Sequence, residues 1–199
     1  EEGTLSDVAS VSGQPVYLGA ADSGTLLSTR LLLKAAGVPM PEESADVSSY
    51  DAAADALING EIVFASLPGG DPVSSVSRVF SALGPSVRML SVTDEQYEKL
   101  AETSLLWHPF TIPRDTYPLQ GQPVLTLAQR NLLIVRRDLP EDDVYVITKE
   151  IYENVQRLSE VHPALSQLGE ARKDVGDIWP PLHPGAKKYF DEAGILSPN

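Results

Sequence analysis

Two stretches of this chain repeat one plan, and that plan constrains the architecture more than any other feature. Val-Tyr-Leu-Gly over 16–19 reads as a short strand, Ala-Asp-Ser-Gly-Thr as a small polar turn, and 25–36 as an apolar-striped helix ended by Gly37 and Pro39. Further on, the continuous apolar run 62–67 enters Pro68-Gly69-Gly70-Asp71 and then a helix over 72–83 headed by Pro72. Proline suits the first helical turn, where its missing N–H has no partner to lose. Strands apolar throughout are buried on both faces. A short strand at 46–48, an Ala-rich helix over 50–58 stopped by Asn59-Gly60, and a strand over 87–92 complete the pattern. Strand–helix alternation of this kind implies an α/β fold: an open, largely parallel sheet flanked by helices.

The remainder is less regular. A helix is expected over 94–103 with Asp94 as its cap, and residues 1–14 read as a loose polar lead-in. Pro109, Pro113, Pro118 and Pro123 break 106–123 into a strand-like crossover, and strand character returns over 124–135, interrupted near Gln129. A long helix is predicted over 140–161, with Pro140, Glu141, Asp142 and Asp143 in its first turn. Val144, Ile147, Ile151, Val155 and Leu158 form its apolar stripe. An apolar segment over 164–171 and a polar gap through 177 precede a last helix over 184–193, stopped by Gly194.

The turn before the first full helix is the candidate binding site. The first amides of a helix lack internal partners and carry the positive end of its dipole. Ser23, Gly24 and Thr25, preceded by Asp22, leave room for a carboxylate or phosphate to reach them. Ser and Thr are equally the ordinary N-cap residues of ligand-free turns. A phosphate-loop reading is disfavoured because no Lys follows. Pro68, Gly69 and Gly70 form a second small-residue loop after a strand, and in open α/β sheets ligands bind beyond the carboxyl ends of the strands.

Composition removes several classes. The 199 residues carry a formal net charge of -13, which excludes a basic nucleic-acid surface and argues against an anionic membrane face. There is no cysteine, hence no disulfide, thiolate catalysis or zinc-thiolate site, a composition that suits a bacterial periplasm. His108, His162 and His183 each precede a proline, which places each at the entry of an element. No pair has metal-ligand spacing and no nucleophile elbow occurs, so neither a metal, a cofactor nor an enzyme is expected.

A set of ordered phrases then carries a resemblance: Leu139-Pro140-Glu141-Asp142-Asp143-Val144-Tyr145, Thr148-Lys149, Asn154, His162-Pro163-Ala164 and Pro181-Leu182-His183-Pro184-Gly185-Ala186. With Tyr189, Glu192, Gly194, Gly19, Ser23-Gly24-Thr25, Thr111-Ile112-Pro113 and Thr116-Tyr117-Pro118, they resemble the TAXI family over roughly residues 14–196. That family comprises the solute-binding receptors of tripartite ATP-independent periplasmic (TRAP) transporters. The resemblance implies a periplasmic-binding-protein-like (type II) fold that captures a small organic anion or an amino acid such as glutamate and hands it to membrane permease subunits. It implies a complete ligand-binding lobe over 14–111, a crossover or hinge over 112–123, and the C-terminal portion of a second lobe over 124–199. The family's Ser-Gly-Thr loop maps onto Ser23, Gly24 and Thr25, and its next loop onto 68–72.

Departures from the family accompany the likeness. The family's N-terminal lobe segment is not found before the strand at Val16, Asp71 would repel an anion if turned inward, and Leu119 stands where Gly often follows Tyr-Pro. Two other classes are consistent with the same residues: a solute-sensing or regulatory module, and an orphan lobe acting through self-association. Trp107 and Trp179 are expected in packing, and Arg30, Arg78 and Arg114 on the surface.

Overall fold

The computed structural model describes residues 3–11, 13–40, 47–103, 107–171 and 181–196. The chain divides into two compact units, residues 1–130 and 131–199. The first unit runs β1 (Gly3–Thr4), β2 (Val16–Tyr17), α1 (Gly24–Ala35), α2 (Tyr50–Ile58), β3 (Phe64–Ala65), α3 (Ser74–Leu83), β4 (Leu90–Ser91), α4 (Asp94–Thr103), β5 (His108–Ile112) and β6 (Val124–Ala128). The fold is α/β. β1 pairs with β4 and β2 with β3, both parallel, while β5 and β6 pair antiparallel from His108↔Ala128 to Ile112↔Val124. Val92 N–H donates to Leu125 O at 3.0 Å, tying β4 to β6.

The helices lie close to their expected positions and the strands are shorter. The run 62–67 keeps strand geometry only at Phe64–Ala65, and Val63 is exposed rather than buried. Among the described residues β3 pairs with β2 alone, so it is an edge strand with one side open. Val47 and Ser48 form no strand, and Asp46, Leu106 and Trp179 lie outside the described residues. The segment 129–135 is irregular, and β6, grouped by sequence with the C-terminal portion, pairs inside the first unit.

The N-terminal lead-in is not loose. β1 completes the backbone pairing of β4, and a 3-10 turn (Leu5–Val11) follows it. Val8 is buried in one core cluster with Val16, Leu18, Leu33 and Val38. Leu5, Val8 and Val11 are few and set among serines and acids, which hid this from the sequence. α4 is capped by Thr93 rather than Asp94. Thr93 Oγ1 accepts from Gln96 N–H at 3.2 Å and Gln96 Oε1 accepts from Thr93 N–H at 3.0 Å, a reciprocal capping box. Gln96 Nε2 donates to Ser6 Oγ at 3.0 Å and so fastens the 3-10 turn to α4.

α2 packs by smallness: Ala53 and Ala56 are buried, which lets the helix lie close to Tyr17 and Ile62 in a second cluster. α3 buries Val79 and Phe80, and Phe80 stacks on Tyr117 of the crossover with ring centroids 5.8 Å apart. Tyr117 Oη accepts from Val73 N–H at 3.0 Å, giving the first turn of α3 a partner 44 residues away. Burial raises the Tyr117 pKa above its usual value, so the hydroxyl stays neutral. Gln120 is buried and knots the same corner: its Oε1 accepts from Tyr117 N–H, and its Nε2 donates to Pro113 O and Gln122 O. Leu119 closes this turn at φ 62°, the left-handed region that favours glycine, with 77% of its surface exposed.

The second unit contains α5 (Glu141–Glu153), α6 (Val155–Val161), α7 (Leu168–Ala171) and α8 (Pro184–Glu192), with a 3-10 turn (Pro163–Gln167) before α7. The single helix expected over 140–161 is interrupted at Asn154, which adopts φ -110°, ψ 22°. Asn154 Nδ2 donates to the Glu150 carbonyl at 2.8 Å, the acceptor that a continuous helix reserves for the Asn154 amide. Tyr145, Tyr152, Tyr189 and Phe190 form an aromatic cluster between α5 and α8. The contact depends on Gly185, where a Cβ would lie 2.2 Å from Glu141 O and 2.7 Å from Tyr145 N. His162 and His183 begin their elements as the following prolines required, each accepting an amide on Nδ1 at 3.2 Å.

Two substitutions test this packing. Gly185→Ala should lower stability by about 2–3 kcal/mol, because the clash is with backbone that cannot swing away. Urea unfolding followed by circular dichroism measures it. Leu119→Gly should leave stability unchanged or raise it by about 0.5 kcal/mol, since relief of a left-handed leucine outweighs the chain entropy that glycine adds.

Candidate functional site

The candidate site begins at Gly19. At φ 130° it carries the chain from β2 over the head of α1, and a Cβ there would lie 2.3 Å from Leu26 N. Only glycine allows strand and helix to approach this closely. The chain then turns through Ala20 to Ser23, closed by Ser23 N–H donating to Ala20 O at 3.1 Å, with Asp22 at φ 58°. Aspartate is among the residues that tolerate this conformation in turns. Ser23 caps α1 in extended geometry, φ -85° and ψ 153°, and its Oγ accepts from Leu26 N–H at 3.1 Å.

Helix geometry fixes what remains. Leu27 N–H enters the helix ladder through Ser23 O, and Leu26 N–H is taken by the cap. Among the described residues, the amides of Gly24 and Thr25 have no acceptor in the protein. Gly24 lines a depression of about 360 Å³ together with Asp22, Ser23, Leu26, Leu27 and Arg30, and Thr25 follows it in the first turn of α1. The electrostatics there are mixed. The two amides, the helix dipole and the Arg30 guanidinium favour an anion, and the exposed Asp22 carboxylate opposes one.

Thr25 Oγ1 does not face this opening unengaged. It shares a 2.6 Å hydrogen bond with Tyr50 Oη at the head of α2, and the Tyr50 ring meets Tyr17 edge-on at 6.5 Å. Burial raises the Tyr17 pKa, and neighbouring Tyr50 adds to that. One turn along α1, the buried Thr29 hydroxyl lies 2.8 Å from Thr25 O and 2.7 Å from Ser66 Oγ, its single hydrogen serving one of the two. Ser66 follows β3 and is held by its own amide donating to Tyr17 O at 2.9 Å. A chain of hydroxyls thus links α1, α2 and the ends of β2 and β3.

The second loop is built differently. At Gly69 a Cβ would meet Val73 Cγ2 at 2.8 Å, so a larger residue would have to displace that methyl. Pro68 and Gly69 are exposed and Gly70 half-buried, and none of the three lines the depression beside α1. The sequence-predicted residues therefore fall into two groups. Asp22, Ser23 and Gly24 line one opening with Thr25 next in the chain, while Pro68, Gly69 and Gly70 stand beyond Ser66. The hydroxyls of Ser23 and Thr25 cap and brace α1, which leaves the backbone of Gly24 and Thr25 as the free donors. Sequence reasoning missed Tyr50, Thr29 and Ser66. The spacing of Thr25 and Thr29, one helical turn apart beside a predicted strand end, was the available signal. Among the described residues no cluster of acidic, histidine or cysteine side chains could hold a metal.

Ser23→Ala should lower stability by about 1 kcal/mol through loss of the cap. Gly19→Ala should cost at least about 2–3 kcal/mol, because both the φ and the contact are denied. Thermal denaturation of the two variants should rank them in that order.

Among the described residues no helix is long and apolar enough to cross a membrane. Comparison with known families finds that the NMT1-like family matches residues 1–194. With its parallel strand pairs and helix-head opening, the chain belongs to the NMT1-like family, a periplasmic-binding-protein-like family of solute-binding proteins.

Proposed function

We propose that this chain binds a small organic anion or amino acid, glutamate being one candidate, with its carboxylate on the amides of Gly24 and Thr25. The single observation that carries the reading is that pair of unsatisfied amides in the first turn of α1, where Gly24 lines a depression. Each amide–carboxylate bond contributes about 1.5–3 kcal/mol, and micromolar affinity corresponds to about 8 kcal/mol. Two such bonds, the Arg30 charge and apolar contact with Leu26 and Leu27 reach that range. Asp22 would favour ligands that also carry an ammonium group, which supports an amino acid over a simple dicarboxylate.

The ordered resemblance to TAXI receptors extends this reading to a role. The chain would act outside the cytoplasm, as the receptor of a TRAP transporter, and deliver its solute to the permease subunits. Residues 14–111 would form the ligand-binding lobe, 112–130 the crossover, in which β6 returns onto β5, and 131–199 a portion of the second lobe. Pro68, Gly69 and Gly70 would bound the far side of a longer ligand, because Ser66 before them already touches Thr29 of α1.

A single substitution separates binding from folding. Gly24 is the first residue of α1, its Cβ position is open, and Ser23 already has the extended geometry that a following proline demands. Gly24→Pro should therefore keep the fold while deleting one amide donor. Calorimetric titration with L-glutamate, L-aspartate and succinate should show binding of at least one solute, weakened about tenfold or more in Gly24→Pro at unchanged melting temperature. Equal affinity in the two proteins would reject the amide site.

A further inference from the structure

We propose that the solvent face of α1 and α4 docks a second copy of this chain, α1 of each copy lying on α4 of the other. Arginine and lysine are scarce in a chain of net charge -13, and in the first unit most are neutralised locally. Arg78 pairs with Asp51 and Asp55, Arg88 with Asp7, Lys99 with Glu95, and Arg114 with Asp115. Arg30 and Lys34 are the exception: both are exposed on α1, and neither has an acidic partner among the described residues. They stand one turn apart and alternate with Leu27, 63% exposed, and Leu31, 40% exposed. Leu27, Arg30, Leu31 and Lys34 thus make one mixed apolar and basic seam. The seam continues past Arg30 and Lys34 into a shallow depression of about 600 Å³ that Pro39 and Met40 complete.

α4 packs beside α1 and carries the complement. Glu98 and Glu102 are exposed, stand one turn apart, and have no basic partner among the described residues. The spacing of the two carboxylates equals that of the two cations, about 6 Å on each helix. A twofold interface requires a patch complementary to itself. Adjacent helices bearing unpaired charges of opposite sign satisfy that requirement: a half-turn exchanges α1 and α4, so Arg30 and Lys34 of one copy meet Glu98 and Glu102 of the other. The exposed leucines supply the apolar burial that charge pairs at a surface do not. The seam shares Leu27 and Arg30 with the opening, so a docked copy and a bound solute would compete for Arg30; the proposal itself needs no ligand and does not rest on the solute-binding reading.

The test uses the full chain in sedimentation velocity. The wild type at about 100 µM should sediment as a dimer that dissociates as salt is raised. Arg30→Glu with Lys34→Glu, and separately Glu98→Lys with Glu102→Lys, should each weaken self-association about tenfold or more while leaving the melting temperature unchanged. Mixing the two variants should restore a one-to-one dimer, because both contacts are then between opposite charges. A monomeric wild type at that concentration, or a mixture that stays monomeric, would overturn the proposal.

Discussion

The approach of β2 to the head of α1 at Gly19 is the constraint on which the first unit depends. One missing side chain lets the strand end pass within contact of Leu26 N, and three consequences follow from it. The helix begins at Gly24 with Ser23 as cap, so the amides of Gly24 and Thr25 are left at its mouth. Thr25 is brought within 2.6 Å of Tyr50, which joins α1 to α2. Leu33 and Val38 settle over Val16 and Leu18, where Val8 closes the core. The packing of the first unit and the geometry of the opening at the head of α1 therefore share one origin in a glycine.

Polar groups complete what apolar burial begins. The hydroxyl chain from Tyr50 through Thr25 and Thr29 to Ser66 ties two helices to two strand ends where the sheet stops providing partners. Tyr117 and Gln120 perform the same service at the crossover, pinning the start of α3 and giving both polar atoms of the Gln120 amide a partner. Such networks are stabilising when every member is satisfied. Their cost is specificity of position: each bond fixes a segment that proline or positive φ alone would leave loose.

Much of this was legible in the sequence because it rests on local rules. The helices α2 and α4 span the residues expected from the Ala-rich run before Asn59-Gly60 and from the segment after Thr93, and each histidine before a proline opens an element. What was not legible is non-local or side-chain-specific. Strand lengths at β3 depend on how many neighbours the edge finds, which the apolar run 62–67 does not encode. The break at Asn154 arises from one side chain capturing the Glu150 carbonyl inside an otherwise correct stripe. The N-terminal segment joins the core through Val8, a residue with no strand or helix pattern around it to mark it. At the site, the hydroxyls of Ser23 and Thr25 are spent on the fold, and the amides of Gly24 and Thr25 are what remains.

The central claim is that the first two amides of α1 receive a negatively charged solute. Backbone amide NMR during titration with L-glutamate and related acids observes those two groups directly. The account predicts saturable downfield shifts of the Gly24 and Thr25 resonances, larger than those of other amides in α1, as an N–H donating to a carboxylate is deshielded. Saturable binding whose shifts fall elsewhere, with Gly24 and Thr25 unmoved, would contradict it.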